Sequence, residues 1–453
     1  MSWSQVSENR WERPSNSIES FYTLIGDVSG SLFEGRRQYM IFSRLNVDLQ
    51  IPDAEVEDAL RYAWKQVRHE QPQIAQTAGE GFKKVYQVPD EDALQLWLDR
   101  TFIVSDTEDG DALANDAPPI QQATFYYVRK ASQLVIRAHH SVIEGVGMTL
   151  LWHTYLTALM NPNLKMEFGE EAIRLSPSLE KAKGYSDVLP ADAVAKGSQT
   201  ATDALPFYPG IGPVSKVGTV PVGPTQMREY RFSERTTQAI IQACKKGGFT
   251  VTAAVHAAFA LTIAKHADST LITDKSKYLT FFQLNLRPYL PEPYNSSEYA
   301  VALYYTTWPL VLEIPHDFQQ LVQVIADKYK SVCKALAENM ALSNSVQSTI
   351  LQFAMNPEFL TLPPARDAVF SSVGIVERYL KQSYASADNN RRVIVEDFKM
   401  GLEVVMSQPL CTFYTFRNQM RMIYSFNESY DDEALVQAYL KDVENTLLEK
   451  LLA

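Results

Sequence analysis

The chain has 453 residues, 46% of them apolar, and a formal net charge of −11 because 53 acidic residues outnumber 42 basic ones. This length predicts more than one domain, and an acidic chain without a Lys/Arg block argues against nucleic acid or an anionic membrane as partner. The three cysteines form no CxxC pair, the N-terminus is polar, and no apolar run is long enough to span a bilayer. We therefore expect a soluble, cytoplasmic protein with reduced thiols.

Apolar periodicity predicts the elements of the first half. Predicted strands cover residues 40–51, 82–88, 123–129 and 133–139, and the last two form a hairpin. Helical spacing predicts a helix from Asp53 to about Val67 and a second one over residues 146–160.

The periodic pattern fails between residues 176 and 224, where prolines recur among scattered glycines and serines. This composition predicts a proline-rich crossover linker without a folded unit of its own. We therefore predict an N-terminal lobe over residues 1–175, a linker over residues 176–224 and a C-terminal lobe over residues 225–453.

The second half again mixes strands and helices. Predicted strands cover residues 226–232, 278–286, 299–312, 368–376, 393–398, 411–416 and 420–426. Helices are predicted from Ser233 to Gly247, over residues 250–266, from Asp317 onwards and from Asp431 to the C-terminus, and the second of these is apolar on nearly every side. The sequence thus predicts an α/β fold of two units.

One short run concentrates the residues that could do chemistry. His139 and His140 are adjacent, follow a predicted strand and precede Glu144, Gly145 and Gly147. Three interpretations compete: two structural histidines, a metal site, or a general base with its neighbour as an anchor. A metal site is disfavoured because successive strand side chains point to opposite faces and no nearby Cys, His or Asp completes a ligand set.

The run resembles the HHxxxDG signature of the CoA-dependent acyltransferase superfamily, with Glu144 in place of the usual aspartate. That superfamily includes chloramphenicol acetyltransferase, the BAHD acyltransferases, the fungal trichothecene O-acetyltransferases and the condensation domains of peptide synthetases. The whole pattern looks most like the fungal trichothecene 15-O-acetyltransferase type.

Three further segments match in the same order. Arg287 ends a predicted strand, as in these enzymes, and Ser371-Ser372 occupy the short Ser/Thr/Asn segment beside the acyl-transfer site. Residues 397–401, which begin at Asp397, keep three of the five positions of the BAHD motif DFGWG.

The resemblance implies two chloramphenicol-acetyltransferase-like lobes that form a pseudo-dimer with a central channel. It implies that His140 is the general base and that His139 and Gly145 complete the motif. Glu144 would be a structural acid that pairs with an arginine. By the same analogy, Asp397 and Arg287 would pair away from the reacting atoms.

The oxyanion donor stays open, because Ser371, Ser372 and a backbone amide near Gly145 are all candidates.

These implications predict a monomeric acyl-CoA-dependent O-acyltransferase that acetylates a hydroxyl of a hydrophobic secondary metabolite. Acetyl-CoA or another acyl-CoA would be a co-substrate, with no permanently bound cofactor and no metal. One alternative is a condensation-type domain that takes its acyl group from an acyl carrier protein. Another is a fold reused as a non-acylating cyclase or a binding protein, which the changes at Glu144 and in the DFGWG segment keep open.

Overall fold

The computed structural model describes residues 1–186, 188–314 and 316–452. The α-helices are α1 (Ser17–Leu32), α2 (Val56–Glu70), α3 (Glu91–Thr101), α4 (Leu113–Asp116), α5 (Gly145–Met160), α6 (Leu179–Ala182), α7 (Ala191–Ala204), α8 (Glu234–Gly247), α9 (Val251–Lys265), α10 (Phe318–Glu338), α11 (Ala341–Met355) and α12 (Glu433–Leu451).

The β-strands are β1 (Ser4–Ser7), β2 (Arg10–Pro14), β3 (Ile41–Gln50), β4 (Thr77–Gly79), β5 (Lys83–Gln87), β6 (Phe102–Ser105), β7 (Thr124–Val128), β8 (Gln133–Ala138), β9 (Thr225–Arg231), β10 (Tyr278–Asn285), β11 (Tyr305–Leu312), β12 (Val369–Ile375), β13 (Ser383–Ala385), β14 (Arg392–Leu402), β15 (Leu410–Phe416) and β16 (Gln419–Asn427).

The chain forms two compact units, and both mix helices and strands. Unit 1 consists of Met1–Val188, Asn285–Tyr305 and Val376–Glu403, and unit 2 consists of Leu189–Leu284, Thr306–Ile375 and Val404–Ala453. The predicted α/β class is therefore confirmed. The predicted boundaries at residues 175 and 225 differ from these units, because two later segments belong to unit 1.

Unit 1 contains a six-stranded sheet with the strand order β13-β14-β3-β8-β7-β6. Strand β14 comes from the second half of the chain and pairs antiparallel with β3 along its whole length, from Arg392 opposite Gln50 to Leu402 opposite Ile41. This long ladder is why residues 376–403 belong to unit 1. Strand β8 lies inside the sheet between β3 and β7, every one of its residues is buried, and it ends immediately before His139.

Unit 1 also contains a smaller sheet with the order β1-β2-β5-β4. The predicted strand over residues 299–312 begins only at Tyr305. The carbonyl groups of Tyr299 and Ala300 bind the Arg287 guanidinium instead of a neighbouring strand, at 2.8 and 2.9 Å.

Unit 2 contains a four-stranded sheet with the order β12-β15-β16-β9, in which β12 and β15 are parallel, and a separate β10-β11 pair. The predicted helix boundaries are confirmed for α8 and α9. Ser233 and Thr250 accept hydrogen bonds from the first turns of these helices, and Gly248 ends α8 in a left-handed conformation. Helix α9 is buried on nearly every side, as its composition predicts.

The predicted linker is wrong for residues 191–204, which form α7. Its buried residues are Ala193, Gly197, Ala201 and Ala204. These small side chains let α7 lie very close to α11: a Cβ on Gly197 would come within 2.7 Å of the Leu342 carbonyl oxygen. A stripe of alanine and glycine is a weak sequence signal because it lacks large apolar residues.

Across the described residues, no single helix is both long and apolar enough to cross a membrane; only α8 and α9 taken together, bent by 103°, meet those two criteria.

Candidate active site

The two histidines follow β8 and have different surroundings within unit 1. His139 is buried, and its Nε2 lies 2.8 Å from the carbonyl oxygen of Ile120. Burial, with the nearby cations of Arg37 and Arg137, lowers the pKa of His139 to about 4. A neutral ring that donates to a backbone carbonyl is an anchor, which agrees with the role predicted for this residue.

The His140 ring is held face to face with an aromatic side chain. It stacks on Tyr22 of α1 with 4.0 Å between ring centroids and 5° between the planes, and Tyr305 lies 5.7 Å away on a tilted plane. Tyr305 donates a hydrogen bond to the Tyr22 hydroxyl. Tyr22 also packs on a buried cluster that includes Ile18 and Leu303. These contacts restrict the rotation of the imidazole.

The His140 residue is half-buried, whereas its Nδ1 is enclosed and has no hydrogen-bond partner in another described residue. Burial lowers the pKa of His140 to about 4, and a contact with its own backbone only partly opposes this. The ring is therefore neutral near pH 7. His140 is thus neutral and only partly enclosed, as a residue that takes a proton from a substrate must be.

Glu144 pairs with an arginine, and the arginine is Arg287. The Nε and Nη2 atoms of Arg287 lie 3.0 and 2.9 Å from Glu144 Oε1, and both side chains are almost fully buried. Glu144 also caps α5, because its carboxylate accepts hydrogen bonds from the amides of Val146 and Gly147 at 2.7 and 2.9 Å. The longer acid thus holds both the helix start and the arginine.

Close packing at the start of α5 requires a glycine. A Cβ on Gly147 would lie 2.5 Å from the carbonyl oxygen of Ala300 and 3.1 Å from Arg287 Nη2. Gly145 is the first residue of α5 and is only half-buried. Its predicted part in oxyanion binding stays a prediction.

The expected pairing of Asp397 with Arg287 is wrong. The three guanidinium nitrogens of Arg287 are directed to Glu144 and to the carbonyls of residues 299 and 300, and Asp397 Oδ2 lies instead 3.9 Å from Arg44 Nη2. Asp397 lies opposite Asn46, which lies opposite Gln133 at the start of β8. At about 3.4 Å per residue, this is roughly 17 Å along β8 from its end at Ala138.

The residues that replace Gly-Trp in the DFGWG segment continue β14 without a loop. Lys399 is buried, and its Nζ lies 2.6 Å from Asp111 Oδ2. Arg44 stands directly opposite Lys399 on β3 and binds Asp109 and Asp111 at 2.9 and 3.0 Å. The two aspartates thus compensate the two cations that face each other.

Ser371 and Ser372 lie on β12 of unit 2, and both are half-buried. The Ser372 hydroxyl is 3.1 Å from the Thr252 hydroxyl. The structure does not bring these serines together with His140 within one unit, so their contact with substrate stays a prediction. Within the described ranges, no group of three or more His, Cys, Asp or Glu side chains is arranged to hold a metal ion.

No family model matches the chain. Two curated relatives from Monascus ruber match the chain in sequence. "Acetyltransferase pigO" is 28% identical over 470 residues, which cover 100% of this chain and 98% of the relative. "O-acetyltransferase pigM" is 27% identical over 409 residues, covering 86% and 76%.

Among solved structures, the trichothecene 15-O-acetyltransferase TRI3 from Fusarium sporotrichioides superposes with a TM-score of 0.82 at 15% identity, covering 98% of this chain and 96% of that one. The chain has the fold of the CoA-dependent acyltransferase superfamily. The EpoB cyclization-docking bidomain from Sorangium cellulosum, a peptide-synthetase protein, matches with a TM-score of 0.64 at 14% identity, covering 96% and 85%. The resemblance seen in the motifs is thus confirmed, and the names of the relatives support an acyltransferase.

The motifs did not reveal Tyr22, Glu19 or Lys84, which surround the histidine loop. The first two lie on α1, which the apolar pattern did not predict. Asn16 and Glu19 form a capping box at its start, and the spacing Asn-x-x-Glu was a readable signal for a helix.

Proposed function

We propose that this protein transfers an acetyl group from acetyl-CoA to a hydroxyl of a hydrophobic secondary metabolite, with His140 as the general base. The observation that carries the proposal is that His140, which precedes α5, is half-buried and its Nδ1 has no hydrogen-bond partner in another described residue, while its ring is held against Tyr22. The names of the acetyltransferase relatives and the fold shared with a trichothecene acetyltransferase support the reaction class.

In the proposed reaction, the acceptor hydroxyl gives its proton to the imidazole as its oxygen attacks the thioester carbonyl. The tetrahedral intermediate then expels the CoA thiolate, which takes the proton back from the imidazolium. General-base assistance of this kind contributes roughly 10²–10⁴-fold. The low pKa of His140 keeps the base unprotonated in water and makes the imidazolium a ready acid for the second step.

The proposed route uses no acyl-enzyme. Cys244 and Cys411 are 1% and 0% exposed, and burial raises the pKa of Cys244 to about 11 and that of Cys411 further. A thiol that stays protonated and enclosed is a poor nucleophile. On the proposed direct route, both substrates bind together before transfer.

The proposed acceptor is a bulky, largely apolar alcohol. TRI3, which shares this fold, is named a trichothecene 15-O-acetyltransferase. Ligand sites for small molecules are mostly apolar with a few fixed polar groups. Acetyl-CoA is proposed as the donor, in a cytoplasmic monomer that needs neither a metal nor a bound cofactor. An acyl carrier protein is the alternative donor. Because the fold is shared with a peptide-synthetase bidomain, the test includes this donor.

The test is incubation with acetyl-CoA and a panel of apolar alcohols, with detection of free thiol and of a product heavier by one acetyl group. We expect thiol release that requires the alcohol and persists in EDTA. Reactions without acceptor measure hydrolysis, and acetylated carrier protein replaces acetyl-CoA in a parallel series. Acceptor-dependent turnover with the carrier protein alone would contradict the CoA donor. Binding of alcohols without turnover from either donor would contradict the transferase.

A further inference from the structure

A buried cluster of three charges connects three elements of unit 1, namely β2, α1 and β5, to the turn that follows His140. Arg13 lies on β2, Glu19 on the first turn of α1 and Lys84 on β5, and these residues are 3%, 2% and 5% exposed. Lys84 also reaches Ser141, the residue that follows His140. The proposed reaction assigns no role to any of these charges.

The Glu19 carboxylate is fully occupied. Its Oε1 lies 2.6 Å from Arg13 Nη2 and 2.7 Å from Lys84 Nζ, and its Oε2 lies 2.8 Å from Arg13 Nη1 and 2.9 Å from the Asn16 amide. Burial acts to raise the pKa of Glu19, but the two cations outweigh it and hold the pKa at about 2. Glu19 therefore stays ionised and fixes the start of α1.

Lys84 connects that helix start to the turn after the histidine. Its ammonium group contacts Glu19 and donates a hydrogen bond to the carbonyl oxygen of Ser141 at 2.8 Å. Burial lowers the pKa of Lys84 to about 8, against the attraction of Glu19. A buried ammonium is costly unless its partners are well placed, so an apolar side chain of equal length would serve packing better.

The ring that stacks on His140 belongs to the same helix. Tyr22 lies one turn after Glu19 on α1, and its ring covers the imidazole. Residues three apart on a helix share a face. The Glu19–Lys84 pair thus connects the helix that carries the stacked ring to the backbone turn that follows His140.

We propose that Lys84 and Glu19 are positioning residues for His140. Lys84 fixes the turn through the Ser141 carbonyl, and Glu19 fixes the helix end that presents Tyr22. This inference rests on the proposed general-base role of His140. Neither residue touches the reacting atoms, so the expected defect is a misplaced base with intact substrate binding.

The kinetic test compares Lys84→Met with Lys83→Met in the full chain. Lys83 is the neighbouring residue on β5 and is largely exposed, and among the described residues its one ion-pair partner is Glu12 at 3.3 Å. We expect Lys84→Met to lower kcat about 10- to 100-fold, as displacement of a catalytic group does, with little change in the KM for acetyl-CoA. Lys84→Arg retains the cation and its donors and should restore most of the activity, and Lys83→Met should match the wild type.

A second readout reports on the ring itself and does not require turnover. Because the Tyr22 ring lies face to face with the imidazole, we expect its ring current to shift the His140 imidazole proton resonance upfield, and His140→Gln identifies this signal by its loss. We expect Lys84→Met and Glu19→Gln to move the signal toward the position of a free histidine, and Lys83→Met to leave it in place. If the wild type shows no turnover, the proposed function fails, and this spectrum alone decides the positioning role.

Equal kcat values and unchanged His140 signals in Lys84→Met and Lys83→Met would overturn the inference. A loss of kcat that Lys84→Arg does not restore, with an unchanged signal, would also overturn it. If Lys84→Met does not fold, Lys84→Gln, which shortens the donor, is judged by the same two readouts.

Discussion

Two histidines, one in each unit, have a pKa lowered by the same cause, burial, but their ring nitrogens have different partners. His256 lies inside α9, is 0% exposed, and has hydroxyl groups of Tyr329 and Tyr278 3.2 Å from its two ring nitrogens. Burial lowers its pKa to about 3. His140 lies in the turn that precedes α5 and is half-buried. Burial lowers its pKa to about 4.

The comparison separates a structural histidine from a candidate base. Both rings stack on an aromatic side chain, His256 on Phe370 at 4.8 Å and His140 on Tyr22 at 4.0 Å. Neither stacking nor a lowered pKa therefore identifies the base. The difference is that both ring nitrogens of His256 lie within hydrogen-bond distance of tyrosine hydroxyls. His140 is half-buried, and its Nδ1 has no hydrogen-bond partner in another described residue.

The largest expected effect comes from removing the support of the His140 loop. Arg287→Met leaves Glu144 buried without its cation, which should cost about 3–5 kcal/mol of unfolding free energy. Arg228→Met is the matched control, because Arg228 pairs with Glu433 on the surface and such pairs contribute at most about 1 kcal/mol. Urea unfolding measures both. Similar losses in the two variants would contradict a structural role for the Glu144–Arg287 pair.

The second prediction concerns His256. His256→Phe leaves two buried tyrosine hydroxyls without a partner and should cost about 1–3 kcal/mol of stability, while kcat stays near the wild-type value. In the unfolded wild-type chain, His256 takes up a proton below its ordinary pKa of 6.5. In the folded protein, His256 takes up a proton only near pH 3. Stability from this residue is therefore full above pH 6.5 and is lost as pH falls.

The variant should therefore show a shallower loss of stability between pH 6.5 and 4 than the wild type. Thermal unfolding across this range is the measurement. A fall in kcat as large as that expected for a catalytic base would contradict the assignment of His256 as structural.

The third prediction is the pH dependence of transfer. Because only the neutral imidazole accepts a proton, kcat/KM should be flat from pH 7 to 5 and fall about tenfold per pH unit below about pH 4. Tyr22→Ala uncovers one face of the His140 ring. In this variant, the fall of kcat/KM at low pH (the acid limb) should therefore move toward pH 6.5. An acid limb near pH 6.5 in the wild type would contradict the effect of burial on His140.

The smallest effect is expected when the usual aspartate of the motif is restored. Glu144→Asp keeps the negative charge and places a good capping residue at the start of α5, but it reaches less far toward Arg287. These changes oppose each other, so stability should stay within about 1 kcal/mol of the wild type. A loss equal to that of Arg287→Met would show that the length of Glu144 is essential.

Much of the fold was predictable where the sequence carries strong local signals. The boundaries of α8 and α9 follow from Ser233, Gly248 and Thr250, and β3 and β8 follow from long apolar patterns. Helices α1, α3, α7 and α11 and the short helices α4 and α6 were missed, and α7 shows one reason: its buried stripe is alanine and glycine. The assignment of β14 to unit 1 depends on a ladder with β3 that joins residues more than 340 positions apart in the chain.

Part of the candidate site was also predictable from the sequence. The motif identified His139, His140 and Glu144, and the structure supplied the arginine that Glu144 binds. The partners of Arg287 and Asp397 could not be chosen from sequence, because a charge pair has no local pattern. Lys84 gave no signal, because a lysine on a predicted strand is most often exposed.

The central claim is that His140 is the base, and the most direct measurement is the kcat of His140→Ala beside that of His256→Phe under identical acetyl-CoA and alcohol concentrations. We expect a roughly 10²–10⁴-fold loss of kcat in folded His140→Ala, and near wild-type turnover in His256→Phe. Full activity in a folded His140→Ala would contradict it.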